Sequence, residues 1–176
     1  MRKIEVLPYN LKWRDAFAQE KQQILQVFGD NIVAIHHIGS TAIPNIYAKP
    51  IIDLLVEVKS LASIDGCNLS MEALGYEVMG EFGIPGRRFF RKNNTDGVRT
   101  HHVHAFEVGS KEVKQHLAFR DYMIVHREDA QKYSELKREL ARKYPYDIDS
   151  YVDGKDEFIQ QINEKAARWR ELQKTD

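Results

Sequence analysis

A single carboxylate interrupts the apolar run Ile51-Ile52-Asp53-Leu54-Leu55-Val56. Such a run reads as a strand buried on both faces, where an acid is costly unless it is paired or metal-bound. Asp53 lies thirteen residues after Ser40, in the stretch His36-His37-Ile38-Gly39-Ser40. A Gly-Ser turn presents backbone N–H groups and a hydroxyl to a phosphate. A carboxylate on the neighbouring strand can hold the metal that a phosphate brings with it. The layout is that of a phosphate-handling site.

His102 and His104 alternate onto one face of an expected strand over 100–108, and His101 points to the other. If that strand pairs beside Asp53, the result is a carboxylate with two imidazoles. That set suits Zn2+, Mn2+ or Fe2+ better than Mg2+. The alternative is that one of the pair hydrogen-bonds a phosphate or carboxylate without metal. His36 and His37 also alternate, and ordinary strand packing accounts for either.

Further candidates are basic. In Arg87-Arg88-Phe89-Phe90-Arg91-Lys92, Arg87, Phe89 and Arg91 share one strand face. The guanidinium fork of Arg87 or Arg91 suits a phosphate, and an edge strand protected by charge is the rival reading. Lys49, just before Pro50, is a further phosphate candidate. His116 and Arg120 lie one helical turn apart, as do Tyr133 and Lys137, and Tyr151 and Lys155. Arg120 reads as a sheet-facing phosphate contact, with a buried Asp–Arg pair as the alternative.

The elements that must position these residues follow from periodicity. Asn10 is an expected N-cap for a helix to about Phe28, with Trp13, Phe17, Ile24 and Phe28 on one stripe and Gly29 as its stop. Residues 31–38 and 51–58 read as strands, and Pro44 and Pro50 keep the connection non-helical. A helix is expected over 60–74, weakened by Gly66. Strands follow over 76–82, 87–92 and 100–108, the last two joined by the turn Asn93-Asn94-Thr95-Asp96-Gly97. Helices are expected from Ser110 to His126, over 129–143, and over 150–174. The fold class is α+β, with a mixed central sheet and a helical C-terminal third.

Length and composition suit a single domain over 1–176. Acidic and basic residues balance at 26 each, so no global field recruits nucleic acid or membrane, and any attraction for phosphate is local. The lone Cys67 excludes an intramolecular disulfide and fits a reducing cytosol. Residues 1–6 lack the apolar run of a signal peptide, and no window matches a membrane span. The expectation is a cytoplasmic protein.

Four ordered stretches resemble the GrpB family across nearly the whole chain. They are Ile4-Glu5-Val6-Leu7-Pro8-Tyr9-Asn10; His37-Ile38-Gly39-Ser40-Thr41-Ala42-Ile43-Pro44 through Lys49-Pro50-Ile51-Ile52-Asp53; Thr100-His101-His102-Val103-His104; and His116-Leu117-Ala118-Phe119-Arg120-Asp121-Tyr122. The resemblance implies a nucleotidyltransferase-like fold of the polymerase-β type. Gly39, Ser40 and Thr41 would then face the substrate phosphates, and Asp53 would be the catalytic, metal-binding acid. It also favours His37 as the histidine near the site, and implies that a helical lysine, Lys137 or Lys155, touches a triphosphate. One departure stands out. The superfamily's second carboxylate falls at position 55, which here is Leu55, and Glu57 lies roughly 13 Å along the strand from Asp53.

These features define three functions. The first is nucleotidyl transfer with Mg2+ or Mn2+ on Asp53. The second is a non-catalytic module binding a nucleotide or other phosphorylated small molecule, which Leu55 favours. The third is a metal-dependent hydrolase using Asp53, His102 and His104, for which Zn2+ is also suitable.

Overall fold

Alternating and continuous apolar runs make strands here, and helices form where the apolar period lengthens to a turn. In the computed structural model, which describes residues 2–174, the order begins with helix α1 (Lys12–Phe28), strand β1 (Ile32–Ile38) and strand β2 (Ile52–Val58). Short helices α2 (Leu61–Asp65) and α3 (Asn68–Ala73) lead to strands β3 (Tyr76–Gly80), β4 (Arg88–Asn93) and β5 (Arg99–Glu107). Helices α4 (Lys111–Val125), α5 (Arg127–Lys143) and α6 (Ile148–Lys174) complete the chain. The α+β class and the helical C-terminal third are as the sequence indicates.

The chain falls into two compact units built from alternating segments. One comprises 11–38 and 51–114, the other 1–10, 39–50 and 115–176. None of the four boundaries coincides with a flexible linker composition, so the sequence carries no sign of the division.

The first of these units is the sheet, in the order β1-β2-β5-β4-β3. β1 is antiparallel to β2, β2 is parallel to β5, and β4 is antiparallel to both β5 and β3. The sheet is therefore mixed. β2 contributes Leu54, Leu55, Val56 and Val58, each fully buried, and β5 contributes Val103, Ala105 and Phe106. α1 packs on β1 and β2 and buries Trp13, Ile24 and Phe28. α1 starts at Lys12, and Leu11 before it already has helical dihedrals, so the helix opens directly after the expected Asn10 position. The expected helix over 60–74 is two short helices, because Gly66 ends α2 and Cys67 starts α3.

The second unit is helical. α4, α5 and α6 enclose Ala118, Tyr122, Met123, Ala130, Tyr133, Ile162 and Ala166, joined by Ile43 and Ile46 from the 39–50 segment. That segment is tied to α5 by Tyr47 N–H donating to Ser134 Oγ at 2.8 Å. A glycine inside a helix weakens it, yet Gly154 sits within α6. A Cβ there would meet Leu140 Cδ2 of α5 at 2.5 Å. Gly154 thus permits the close approach of α6 to α5 at Leu140. Among the described residues, no helix is long and apolar enough to cross a membrane.

Gly154→Ala tests that approach. Helix propensity alone predicts stabilisation by up to about 1 kcal/mol. The steric conflict with Leu140 predicts the reverse, a loss of about 1–3 kcal/mol from overpacking, read from urea unfolding midpoints.

Candidate functional site

The parallel register of β2 and β5 pairs Asp53 with His102 and Leu55 with His104. The two-residue period sends Asp53, His102 and His104 to the same face of the sheet. Asp53 Oδ1 accepts hydrogen bonds from His102 Nδ1 and His104 Nε2, both at 3.1 Å. Ligand atoms of these three residues all lie within 4.8 Å of one another. The convergence expected from the alternating histidines is present.

The outer nitrogens of the two rings face guanidiniums. Arg87 Nη1 stands 3.3 Å from His104 Nδ1, and Arg99 Nη1 stands 3.3 Å from His102 Nε2. A guanidinium only donates, so the outer nitrogens accept and each ring proton points at Asp53. Phe89 of β4 backs both imidazoles, with ring centroids 5.4 and 5.2 Å away. Arg87 stacks over Phe89 at 4.6 Å and donates to the carbonyls of Glu81 and Phe82, which fixes it in the loop before β4. Burial pushes its pKa below the usual guanidinium value. Burial also opposes the charge on Asp53, but the hydrogen bonds from His102 and His104 outweigh it and hold the carboxyl far below its usual range.

The neighbouring candidates have other partners. Glu57 does not join Asp53; it is hydrogen-bonded to His36 at 2.6 Å. His36, not His37, shares the Asp53 face, because His37 stacks on Phe17 of α1 at 4.8 Å. The resemblance favoured His37, and helix packing is the reason it turns away. His101 faces Glu20 on α1 at 3.6 Å, where Glu20 also binds Lys92 and Tyr76, each at 2.7 Å. This network pins α1 to the sheet, and His101 belongs to it because it points to the face opposite His102 and His104. Arg91 is engaged with Glu77 at 3.0 Å.

The remaining candidates lie in the helical unit. Gly39 adopts φ 75°, a conformation that favours glycine, and starts the one-turn 3-10 helix Ser40–Ala42. Thr41 is buried. Arg120 Nε donates to Asp121 Oδ1 at 2.8 Å, and Asp121 also accepts from Arg170. The Asp–Arg pair anticipated as an alternative is therefore formed. Lys49, Lys137 and Lys155 come together around two tyrosines. Lys49 Nζ and Lys155 Nζ lie 5.3 and 4.7 Å from the Tyr151 ring centroid, and Lys137 Nζ lies 4.4 Å from that of Tyr133.

Lys137 is 1% exposed. Its Nζ and the buried Tyr151 hydroxyl have no hydrogen-bond partner among the described residues. Burial, then the neighbouring charges of Lys155 and Lys49, push Lys137 down to about 6. Sequence spacing placed each tyrosine one turn from its lysine but gave no sign that Lys49 would join them. Arg99 falls just before the expected 100–108 strand, and no spacing in the sequence marks it.

A mixed sheet carrying a carboxylate and two imidazoles on two adjacent parallel strands defines an α+β protein with an Asp–His–His cluster. The family model described as "GrpB protein" matches residues 3–165, and the chain belongs to the GrpB family. It is 33% identical to the Glutamate-rich protein GrpB of Alkalihalophilus pseudofirmus, over 89% of this chain and 92% of that one. It is 48% identical to UPF0157 protein YqkA of Bacillus subtilis over 96% of its own length, but spans only 49% of that relative. The crystal structure of conserved protein GrpB from Enterococcus faecalis superposes with a TM-score of 0.90 at 41% identity, covering 94% of this chain and 99% of that one.

Asp53 makes the site pH-sensitive in metal-free protein. Its folded-state pKa is depressed, so its stabilising contribution is complete above the unfolded value of about 3.9 and is lost as the pH falls below it. Wild-type stability should therefore fall more steeply than that of Asp53→Asn between about pH 5 and pH 2. Urea titrations at each pH measure this, and parallel profiles would contradict it.

Proposed function

We propose that this protein binds one divalent metal ion through Asp53, His102 and His104 and acts on a nucleotide or another phosphorylated small molecule. The carrying observation is the convergence of one carboxylate and two imidazoles on a single face of the sheet. The donor set fits an ion. Ligands bonded at about 2.0–2.1 Å in a tetrahedral site are separated by about 3.3 Å, close to the 3.1 Å between Asp53 Oδ1 and each inward nitrogen. Three protein ligands leave a coordination position for substrate or water. Imidazole favours Zn2+, Mn2+ or Fe2+ over Mg2+. Such an ion supplies Lewis-acid polarisation of a phosphoryl group.

The Gly39-Ser40 turn directly after β1 and the acid on β2 support a nucleotidyltransferase-like fold, for which nucleotidyl transfer is the corresponding reaction. One observation favours a second reading, metal-dependent hydrolysis. Leu55 is fully buried where a second carboxylate would be needed, and its partner across the parallel ladder is His104. The site thus gains an imidazole in place of an acid. That suits a single-ion centre better than the two-ion clamp of nucleotidyl transfer.

Coordination through the inward nitrogens requires the ring protons to leave the Asp53 side. A proton moved to an outer nitrogen then confronts a guanidinium that only donates, so Arg87 and Arg99 must swing away. Arg99 therefore opposes loading, both by this conflict and by its charge.

Elemental analysis of protein purified without chelators should find about one transition metal per chain. Calorimetric titration with Mn2+ and Zn2+ should show His102→Ala and His104→Ala weakening binding by about 100-fold or more, beyond the 10–100-fold typical of lost supporting contacts. Arg99→Ala should tighten binding several-fold. Metal uptake that ignores all three substitutions would contradict the reading. A screen of phosphate esters and nucleotides with the loaded protein then separates hydrolysis, nucleotidyl transfer and binding without turnover.

A further inference from the structure

The loop between β3 and β4 holds an aromatic ring in a way that folding alone does not explain. Phe82 is a bulky residue at φ 47°, in the left-handed region that favours glycine. Its ring is 50% exposed, so full burial does not offset the strain. Residues held in such conformations persist only where their surroundings over-determine them, and they cluster at ligand clamps. Here the surroundings do over-determine it. Arg87 Nη2 donates to the Phe82 carbonyl at 2.9 Å, which fixes the strained backbone. Glu81 Oε2 accepts from Gly86 N–H at 2.7 Å, which closes the loop independently of Arg87 and the imidazoles.

What the loop presents is the outer layer of the site's aromatic wall. The Phe82 ring lies parallel to that of Phe89, with centroids 5.4 Å apart. Phe89 backs His102 and His104 and is itself buried beneath Arg87 and Phe82. The wall therefore meets solvent at Phe82, one ring removed from the imidazoles. The Arg91 guanidinium, 5.4 Å from the Phe82 centroid, adds a cation beside that ring.

We propose that Phe82 is the stacking platform for the base of a nucleotide whose phosphate sits at the Asp53 cluster. A half-exposed aromatic ring accepts any flat base, because every base has a π-face. The sugar that separates base from phosphate in a nucleotide matches the single ring, Phe89, that separates Phe82 from the imidazoles. A phosphate ester without a base leaves the Phe82 ring uncovered and the strain without a return. The inference rests on the phosphorylated-ligand part of the proposal above and selects the nucleotide within it. It does not depend on whether hydrolysis or nucleotidyl transfer follows.

The test is titration calorimetry of the full chain in Mn2+, comparing the four common ribonucleoside monophosphates with ribose phosphate, which lacks a base. Wild-type protein should bind at least one nucleotide about 5- to 150-fold more tightly than ribose phosphate, the range for one base stacked on an aromatic ring. Phe82→Ala should bring that nucleotide down to the ribose phosphate level and leave ribose phosphate itself unchanged. Phe82→Tyr should keep the preference. Phe82→Gly should lose it as Phe82→Ala does, yet melt at a higher temperature than Phe82→Ala, because glycine relieves the positive φ. Equal melting temperatures for these two variants would remove the strain from which the inference starts. Ribose phosphate bound as tightly as every nucleotide, or a preference that survives Phe82→Ala, would overturn the platform and leave the phosphorylated-ligand reading intact. Binding of neither class would overturn both, while Mn2+ uptake measured without ligand reports on the metal reading alone.

Discussion

The parallel pairing of β2 with β5 is the constraint on which the sheet unit depends. Asp53 interrupts an apolar strand whose neighbours are fully buried, and an isolated carboxylate there would be strongly destabilising. The register that aligns Asp53 with His102 and Leu55 with His104 supplies two hydrogen-bond donors to one oxygen. A slip of one residue would send both histidines to the opposite face. Fold and site chemistry are therefore the same fact viewed twice: the strand tolerates its acid only in the register that assembles the donor set.

The sheet site was largely legible in the sequence because strand periodicity is simple. Two histidines spaced by two, and an acid in an apolar run, need only adjacent strands to meet. What periodicity does not encode is which strands become neighbours or in which direction, so it shows neither Arg99 beside His102 nor the partners of Arg87, a candidate phosphate contact or edge-strand charge. The structure instead commits Arg87 to loop carbonyls and to His104, and Arg91 to Glu77. His36 and His37 show the same limit. Alternation says they face opposite ways, but only Phe17 on α1 decides which one packs under the helix.

The helical unit was harder to read. Tyrosines one turn before Lys137 and Lys155 are visible in the sequence, yet the same spacing is common on solvated helices. Convergence with Lys49 arises from tertiary packing. The two units thus carry opposite electrostatic problems. One buries an anion and provides partners for it within the chain. The other gathers cations around a buried amine and provides none for that amine among the described residues.

Anomalous X-ray scattering from crystals of the protein soaked with Mn2+ or Zn2+ tests the central claim most directly. The account predicts one strong peak bounded by Asp53 Oδ1, His102 Nδ1 and His104 Nε2, with the Arg87 and Arg99 guanidiniums displaced from the imidazoles. A fully soaked crystal with no peak there, and both arginines still seated on the rings, would contradict it.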